Sequence, residues 1–207
     1  MIKLYGNSMS TCTRKVLATL HEKQAKFEMV SLDFMKGEHK TPAHVARQPF
    51  GQMPAIEDGD FTLFESRAII RYLDDTLPGQ SLTPKDPKGR AMMEQWISVE
   101  SADFTPPAMA YIGQFMFNKM MGKEPDLAIV EAAKPKLESC LKVLDKAMAK
   151  GPHLLGDQIT LADICLMPYF EYAMMTPAAE LINAHKNTVA WWKRVSERAS
   201  WKATTAK

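Results

Sequence analysis

The segment PGQSLTPKDPKG, which begins at Pro78, divides the chain into two parts with different sequence patterns. It holds three prolines and two glycines and has no apolar periodicity, which is typical of a linker between domains. Patterns typical of strands lie before this segment, and the patterns after it are helical. The sequence therefore predicts an α/β domain over residues 1–78, a linker over 79–87 and an all-helical domain over 88–207.

The first part predicts a small mixed sheet. Apolar runs over residues 2–5 and 27–32 flank a helical pattern over 11–23, which indicates a β-α-β unit with a right-handed crossover. A short helix is predicted over 42–47. Strands are predicted over 55–57 and 61–64, and Asp58-Gly59 between them is a strong hairpin signal. Ser66 is predicted to cap the next helix. The order predicts a four-stranded sheet with an antiparallel hairpin at one edge.

The second part predicts a helical bundle. A long helix is expected over residues 88–118, with a kink or an interruption at Pro106-Pro107. Further helices are expected over 127–149, with Pro135 as a weak point, and over 161–174, 178–184 and 188–198. Thr160-x-x-Asp163 precedes an apolar run, which predicts a capping box with a structural role.

Composition excludes several classes of protein. A hydrophobic fraction of 46% is enough for a sizeable core, and a net charge of +2 is too balanced to indicate nucleic acid as the main partner. Three widely spaced cysteines argue against a disulfide framework or a zinc site and favour a reducing compartment. Because no apolar run approaches the ~20 residues of a spanning helix, we expect a soluble cytoplasmic protein without a membrane partner.

Two pairs of residues in the first part could receive a peptide. A proline at a strand start permits a cis Met53-Pro54 bond, which would turn the Met53 N–H and C=O outward for pairing with an extended peptide. A trans proline that closes a loop is the alternative. Glu65-Ser66 stands at a helix N-terminus, which attracts carboxylates, and Glu65 could hold an ammonium group. An ordinary helix cap is the alternative.

Ser10, Cys12, His39 and Lys40 could take part in thiol or carboxylate chemistry. Ser10 stands where the first helix begins, so it could cap that helix or donate to a bound thiolate and lower its pKa from about 8.5. Cys12 could be a second reactive thiol or a small buried side chain. His39 and Lys40 could be solvated, or could grip a carboxylate together.

Four segments resemble the cytosolic glutathione S-transferase family, and most closely its serine-type phi class. They are STCTRKV, KGEHKTP, PFGQMPAIEDGDFTLFESRAIIRYL and GDQITLADICLMP. The resemblance spans nearly the whole chain. It implies a thioredoxin-like domain followed by an all-helical one, which agrees with the patterns above.

The resemblance also implies a place for glutathione along one edge of the sheet. The residues that it assigns to glutathione are His39, Lys40, Gln52, Met53, Pro54, Glu65 and Ser66. His39 and Lys40 would hold the glycyl carboxylate, while Gln52 would contact the peptide. Met53 would pair through its backbone, Pro54 would be the cis proline, and Glu65 and Ser66 would hold the γ-glutamyl end.

By the same resemblance, the protein is expected to conjugate glutathione to apolar electrophiles, with Ser10 stabilising the thiolate. Glutathione would be a co-substrate, and no metal or other cofactor is expected. The pocket for the electrophile is expected at Met9, Phe34, Tyr111, Phe115 and Met116. A homodimer is expected, in which Phe50 inserts into the partner subunit.

Some alternatives stay open at this point. Met53 stands where the family usually has valine, which changes little because its contact is through the backbone. Many bacterial relatives use cysteine as the catalytic residue, so Cys12 could govern the thiol chemistry through thiol–disulfide exchange. The fold could also serve a binding protein without turnover. The sequence leaves open the second substrate, and whether the role is detoxification or a specific catabolic step.

Overall fold

The computed structural model describes residues 1–205, and the chain divides into two compact units. The first unit contains Met1–Leu82 together with the C-terminal segment that begins at Glu197, and the second is Thr83–Ser196. The predicted division at residues 79–87 therefore differs from the observed one chiefly at the end of the chain.

The first unit alternates strands and helices. A 3-10 turn over Glu38–Lys40 precedes its second helix, and another over Ala203–Thr205 ends its C-terminal segment. Its elements are β1 (Ile2–Gly6), α1 (Thr11–Glu22), β2 (Phe27–Ser31), α2 (Pro42–Val45), β3 (Ala55–Asp58), β4 (Phe61–Phe64) and α3 (Ser66–Thr76).

The four strands form one mixed sheet in the order β2-β1-β3-β4, which confirms the predicted fold class. β1 runs parallel to β2, β3 is antiparallel to β1, and β4 is antiparallel to β3. Leu4 lies opposite Met29 on one side and Ile56 on the other, and Leu4 and Ile56 are fully buried. Gly59 makes the hairpin turn with φ +63°, a conformation that glycine adopts without strain.

The C-terminal segment packs on α1, whereas the sequence pattern placed it in the helical domain. Arg198 donates two hydrogen bonds to the carboxylate of Glu22, at 2.6 and 2.8 Å. The guanidinium of Arg14 lies 4.1 Å from the ring centroid of Trp201 and donates to the Thr204 hydroxyl at 3.1 Å. These contacts join residues more than 170 positions apart in sequence, so no local pattern could indicate them.

The second unit is helical, as predicted. The helices of this unit are α4 (Pro87–Val99), α5 (Thr105–Ile112), α6 (Asn118–Met120), α7 (Leu127–Met148), α8 (Leu161–Met174), α9 (Ala178–Asn183) and α10 (Lys186–Ser196). A short helix of the first unit, α11 (Ala199–Lys202), follows α10.

The predicted long helix is continuous from Pro87 to Met120, with π-helical turns over Glu100–Phe104 and Gly113–Phe117. A proline removes one N–H and crowds the carbonyl four residues before it. The first π-helical turn widens the helix just ahead of Pro106 and Pro107, so the two rings are accommodated without ending it. Likewise, α7 continues through Pro135.

α8 is the buried helix of the second unit, and its start confirms the predicted capping box. The carboxylate of Asp163 accepts from the N–H and the hydroxyl of Thr160 at 2.9 and 3.0 Å. It also accepts from the Leu154 N–H at 3.0 Å and from the indole N–H of Trp191 at 2.8 Å. Within residues 1–205, no helix has both the length and the apolar character that crossing a membrane requires.

Candidate active site

Ser10 stands at the N-terminus of α1, in a loop that other side chains hold in place. The side chain of Asn7 donates to the Leu32 carbonyl at 3.0 Å and accepts from the Met9 N–H at 2.9 Å. The Ser10 hydroxyl oxygen accepts from the Thr13 N–H at 3.3 Å and so caps the helix. Because this bond uses a lone pair of the oxygen, the hydroxyl proton can still be donated to an acceptor.

Cys12 lies in the first turn of α1, two residues beyond Ser10. The side chain of Cys12 is half-buried, those of Cys140 and Cys165 are buried, and none of these three cysteines forms a disulfide.

His39 and Lys40 occupy the 3-10 turn before α2. The His39 ring is 8% exposed and stacks on Phe34, with centroids 4.5 Å apart. Burial lowers the pKa of His39, and the nearby Lys40 and His44 lower it further. Its Nδ1 is buried without a hydrogen-bond partner among residues 1–205. The ammonium of Lys40 is exposed and donates to the Phe50 carbonyl at 3.1 Å.

Met53 and Pro54 lie directly before β3, where Ala55 begins the pairing with Tyr5. The Met53-Pro54 bond is cis. No other residue within 1–205 forms a hydrogen bond with the N–H or the C=O of Met53. The side chain of Gln52 is exposed, and Gly51 before it adopts φ +59°. A Cβ on Gly51 would lie 2.7 Å from Cδ of Lys40, so glycine allows that close approach.

Glu65 and Ser66 form the start of α3, but the prediction that Ser66 caps this helix is wrong. Glu65 is the capping residue, and its carbonyl accepts from the N–H groups of Ala68 and Ile69 at 2.9 Å. Ser66 is the first helical residue and is buried. The side chain of Glu65 does not cap α3, and the N-terminus of this helix provides positive potential.

The topology brings these residues to one end of the sheet. β1 and β2 both end there, β3 begins there and β4 ends there. Ser10 therefore shares this end with the loop of His39 and Lys40, with Met53 and with Glu65. The arrangement places a hydroxyl, an unpaired strip of backbone, a cation and a carboxylate around one edge.

The residues predicted for the electrophile pocket have different environments within their own units. In the first unit, Met9 and Phe34 are more than half exposed. In the second unit, Phe115 and Met116 are half-buried on the π-helical turn that follows α5. Tyr111 is buried on α5, and this burial raises the pKa of its hydroxyl. The structure describes these residues without defining a pocket.

Known proteins resemble the chain over both parts. The family described as "Glutathione S-transferase, N-terminal domain" matches residues 1–75, and the family described as "Glutathione S-transferase, C-terminal domain" matches residues 104–199. Glutathione S-transferase F13 of Arabidopsis thaliana is 40% identical, over 97% of this chain and 93% of that protein. The chain belongs to the glutathione S-transferase family. The F designation of such relatives is that of the phi class.

Solved structures of glutathione transferases are also similar to this chain over nearly its whole length. Glutathione transferase F7 from Populus trichocarpa has a TM-score of 0.93 and 39% identity, over 99% of this chain and 97% of that one. Glutathione S-transferase I from maize, in complex with an atrazine glutathione conjugate, has a TM-score of 0.89 and 33% identity. That match covers 98% of this chain and 95% of the maize chain.

The sequence patterns did not identify two side chains of the transferase that contact the main chain of Gln52. His44 Nε2 lies 2.6 Å from the Gln52 carbonyl oxygen, and Gln48 Oε1 accepts from the Gln52 N–H at 2.9 Å. Both side chains are 2% exposed. The available signal was their spacing of four residues, which places two polar side chains on one face of a helical turn.

A second group of side chains that the sequence patterns did not identify connects the segment after α2 to the sheet. Arg47 Nε donates to the Glu57 carboxylate at 2.5 Å, and the Tyr5 hydroxyl donates to the same carboxylate at 2.7 Å. The bond from Tyr5 and then the bond from Arg47 lower the pKa of Glu57. The helix that carries His44 is thereby anchored on β3.

Proposed function

We propose that this transferase joins the thiolate of glutathione to an electrophilic carbon of an apolar second substrate, with Ser10 stabilising the thiolate. The observation that carries the proposal is the meeting of Ser10, Met53, Lys40 and Glu65 at one end of the sheet. Glutathione is an extended tripeptide with a charged group at each end, which fits such an edge. The maize neighbour bound to a glutathione conjugate supports this choice.

In the proposed complex, the backbone of Met53 pairs with the cysteinyl part of glutathione. The N–H and C=O of Met53 suit this role because they have no other partner within residues 1–205. Lys40 and His39 hold the glycyl carboxylate. The α-carboxylate of the γ-glutamyl end lies at the N-terminus of α3, beside Ser66, and Glu65 holds its ammonium group. Gln52 contacts the peptide, and Pro54 holds the turn.

Ser10 acts on the sulfur. The hydroxyl donates a hydrogen bond to the thiolate, which favours the charged form and lowers the pKa of the thiol, and the N-terminus of α1 adds positive potential. The thiol proton leaves to solvent. The sulfur electron pair then forms the S–C bond as the leaving group departs with its own electron pair, or as an activated double bond accepts the electrons. This scheme uses no metal and no cofactor besides glutathione as co-substrate.

The Ser10→Ala variant tests this role. A hydrogen bond to a charged group is worth about 1.5–3 kcal/mol, so kcat/KM at neutral pH should fall about ten- to a hundredfold. The pKa of bound glutathione, followed by the ultraviolet absorbance of its thiolate, should rise towards that of the free thiol.

Cys12→Ala is the matched control for Ser10→Ala. It should leave conjugation unchanged and should abolish any mixed disulfide that mass spectrometry detects in the oxidised protein. Full activity in Ser10→Ala, or loss of activity in Cys12→Ala, would refute the role given to Ser10. Tight glutathione binding without turnover of any electrophile in a panel would support a binding protein instead.

We also propose a homodimer in which Phe50 enters the partner subunit. The ring of Phe50 is 66% exposed and meets Phe64 edge-on, with centroids 6.2 Å apart. Phe50→Ala should weaken the dimer at least tenfold in sedimentation equilibrium. Phe34→Ala removes a ring that is 61% exposed elsewhere in the first unit, so it is the control and should leave the dimer intact. A Phe50→Ala dimer of unchanged affinity would argue against this interface.

The proposed setting is the cytoplasm, where a reducing environment keeps Cys12, Cys140 and Cys165 as thiols. The proposed role is detoxification of apolar electrophiles. A specific catabolic step would instead require one electrophile to be turned over far better than the rest of a panel.

A further inference from the structure

His44 and Gln48 together hold both polar groups of the Gln52 main chain. Gln48 Oε1 accepts from the Gln52 N–H at 2.9 Å, and His44 Nε2 lies 2.6 Å from the Gln52 carbonyl oxygen. The Gln48 N–H donates to the His44 carbonyl at 2.9 Å, so the two side chains are one helical turn apart. Since both are almost fully buried, neither bond competes with water.

The contact with Gln52 fixes the role of Nε2 in the His44 ring. A carbonyl oxygen can only accept, so Nε2 of His44 must be the donor. Nδ1 of His44 is buried without a hydrogen-bond partner among residues 1–205. Donation from Nε2 to the Gln52 carbonyl therefore fixes the orientation of the His44 ring.

The carbonyl of Gln52 belongs to the same peptide unit as the N–H of Met53. This peptide is planar and trans, so its C=O and N–H point in opposite directions. Holding the Gln52 carbonyl at His44 therefore directs the Met53 N–H to the side away from His44. The N–H of Met53 is the donor that glutathione needs under the proposed function, on which this inference rests.

The support behind His44 is rigid. Arg47, three residues on, is bonded to Glu57 of β3, and Glu57 also accepts from Tyr5 of β1. Arg47 donates in addition to the Ala43 carbonyl at 2.6 Å. We infer that His44, assisted by Gln48, is a positioning residue for glutathione, which it aligns through the Gln52–Met53 peptide without touching the tripeptide.

The test compares His44→Phe with His44→Gln. Phenylalanine fills the space but cannot donate, whereas the Nε2 of glutamine can replace the donor. His44→Phe should raise the Kd and the KM for glutathione about five- to tenfold, the effect of one lost hydrogen bond, with the KM for the electrophile unchanged. His44→Gln should recover most of this loss. His21→Phe, a similar change on α1 away from these residues, should have no effect on glutathione binding.

Calorimetry and thermal unfolding separate the possible outcomes. If His44→Phe lowers the Tm but binds glutathione like the wild type, His44 is only structural and the inference is overturned. If the wild type itself gives no heat with reduced glutathione, the proposed function fails and takes this inference with it. If His44→Phe does not fold, Gln48→Met is measured instead. It should speed hydrogen exchange of the Gln52 amide and raise the Kd about threefold, and unchanged values of both would overturn the inference.

Discussion

At the scale of single residues, Glu65 is held in a costly backbone conformation. Its φ of +69° is rare for a residue with a side chain, and such a conformation costs about 1–3 kcal/mol. The surroundings maintain it, because the Glu65 carbonyl accepts from two N–H groups of α3. The strain lies where the proposed complex needs a carboxylate beside a helix N-terminus, and this agreement favours a functional role for Glu65.

His39 is expected to take up a proton when glutathione binds. Burial, with Lys40 and His44 nearby, holds its pKa below the usual 6.5, so the ring of the free enzyme is mostly neutral near that pH. A bound glycyl carboxylate favours the charged ring and raises this pKa. Binding at about pH 6 should therefore take up protons, and the contribution of His39 to affinity should be lost as pH rises through its pKa in the complex.

Calorimetry in buffers of different ionisation enthalpy measures this uptake. S-methylglutathione is the ligand of choice, because it has no thiol proton to release. His39→Gln is the matched control, since it can donate but cannot titrate, and it should bind without the uptake. Equal proton uptake in the wild type and in His39→Gln would place the titrating group elsewhere.

At the scale of elements, the strands and helices could be predicted because each buries one face at a regular period. The starts of α8 and α3 show which helix caps the sequence can predict and which it cannot. The capping box of Thr160 and Asp163 depends on side chains three residues apart, so the sequence contains it. The start of α3 depends on the positive φ of Glu65, so Ser66 lies inside the helix and does not cap it.

The candidate site shows the same limit. Family resemblance selected Ser10, Lys40 and Met53, which surround the sheet end. His44 and Gln48 could not be found that way, because their role exists only once the chain folds back and brings Gln52 against α2. The electrophile pocket is harder still to predict, since apolar side chains recognise shape loosely.

Asp163 gives a prediction for α8. Its carboxylate accepts hydrogen bonds from Thr160, Leu154 and Trp191, and the residue is fully buried. Asp163→Ala leaves these donors buried and unsatisfied, and should cost about 3 kcal/mol or more. The Tm should fall by about 6–12 °C in a chain of this length.

Two variants serve as controls for the stability loss expected in Asp163→Ala. Asp157→Ala removes an exposed carboxylate from the loop before α8 and should change the free energy of unfolding by less than about 0.5 kcal/mol. Trp191→Phe removes only the indole donor and should cost less than Asp163→Ala. A Tm for Asp163→Ala within 2 °C or so of the wild type would show that the network contributes little.

At the scale of the whole molecule, the segment that begins at Glu197 belongs to the same unit as the sheet. The linker composition marked where the helical unit starts, yet nothing local marked where it stops. Past Ser196 the chain leaves that unit and packs on α1, through Arg198 against Glu22 and Trp201 against Arg14. The C-terminal segment therefore supports α1, whose first turn follows Ser10.

Trp201→Ala tests this link. Truncating a buried tryptophan costs about 3–5 kcal/mol, and here the loss should fall on the first unit. Hydrogen exchange of α1 should accelerate, and glutathione affinity should fall because Ser10 loses its fixed position. Trp201→Phe keeps a ring under Arg14 and should restore most of the protection, while Lys202→Ala, on the exposed side, should behave like the wild type. Unchanged exchange of residues 11–22 in Trp201→Ala would mean that α1 is held by the sheet and α3 alone.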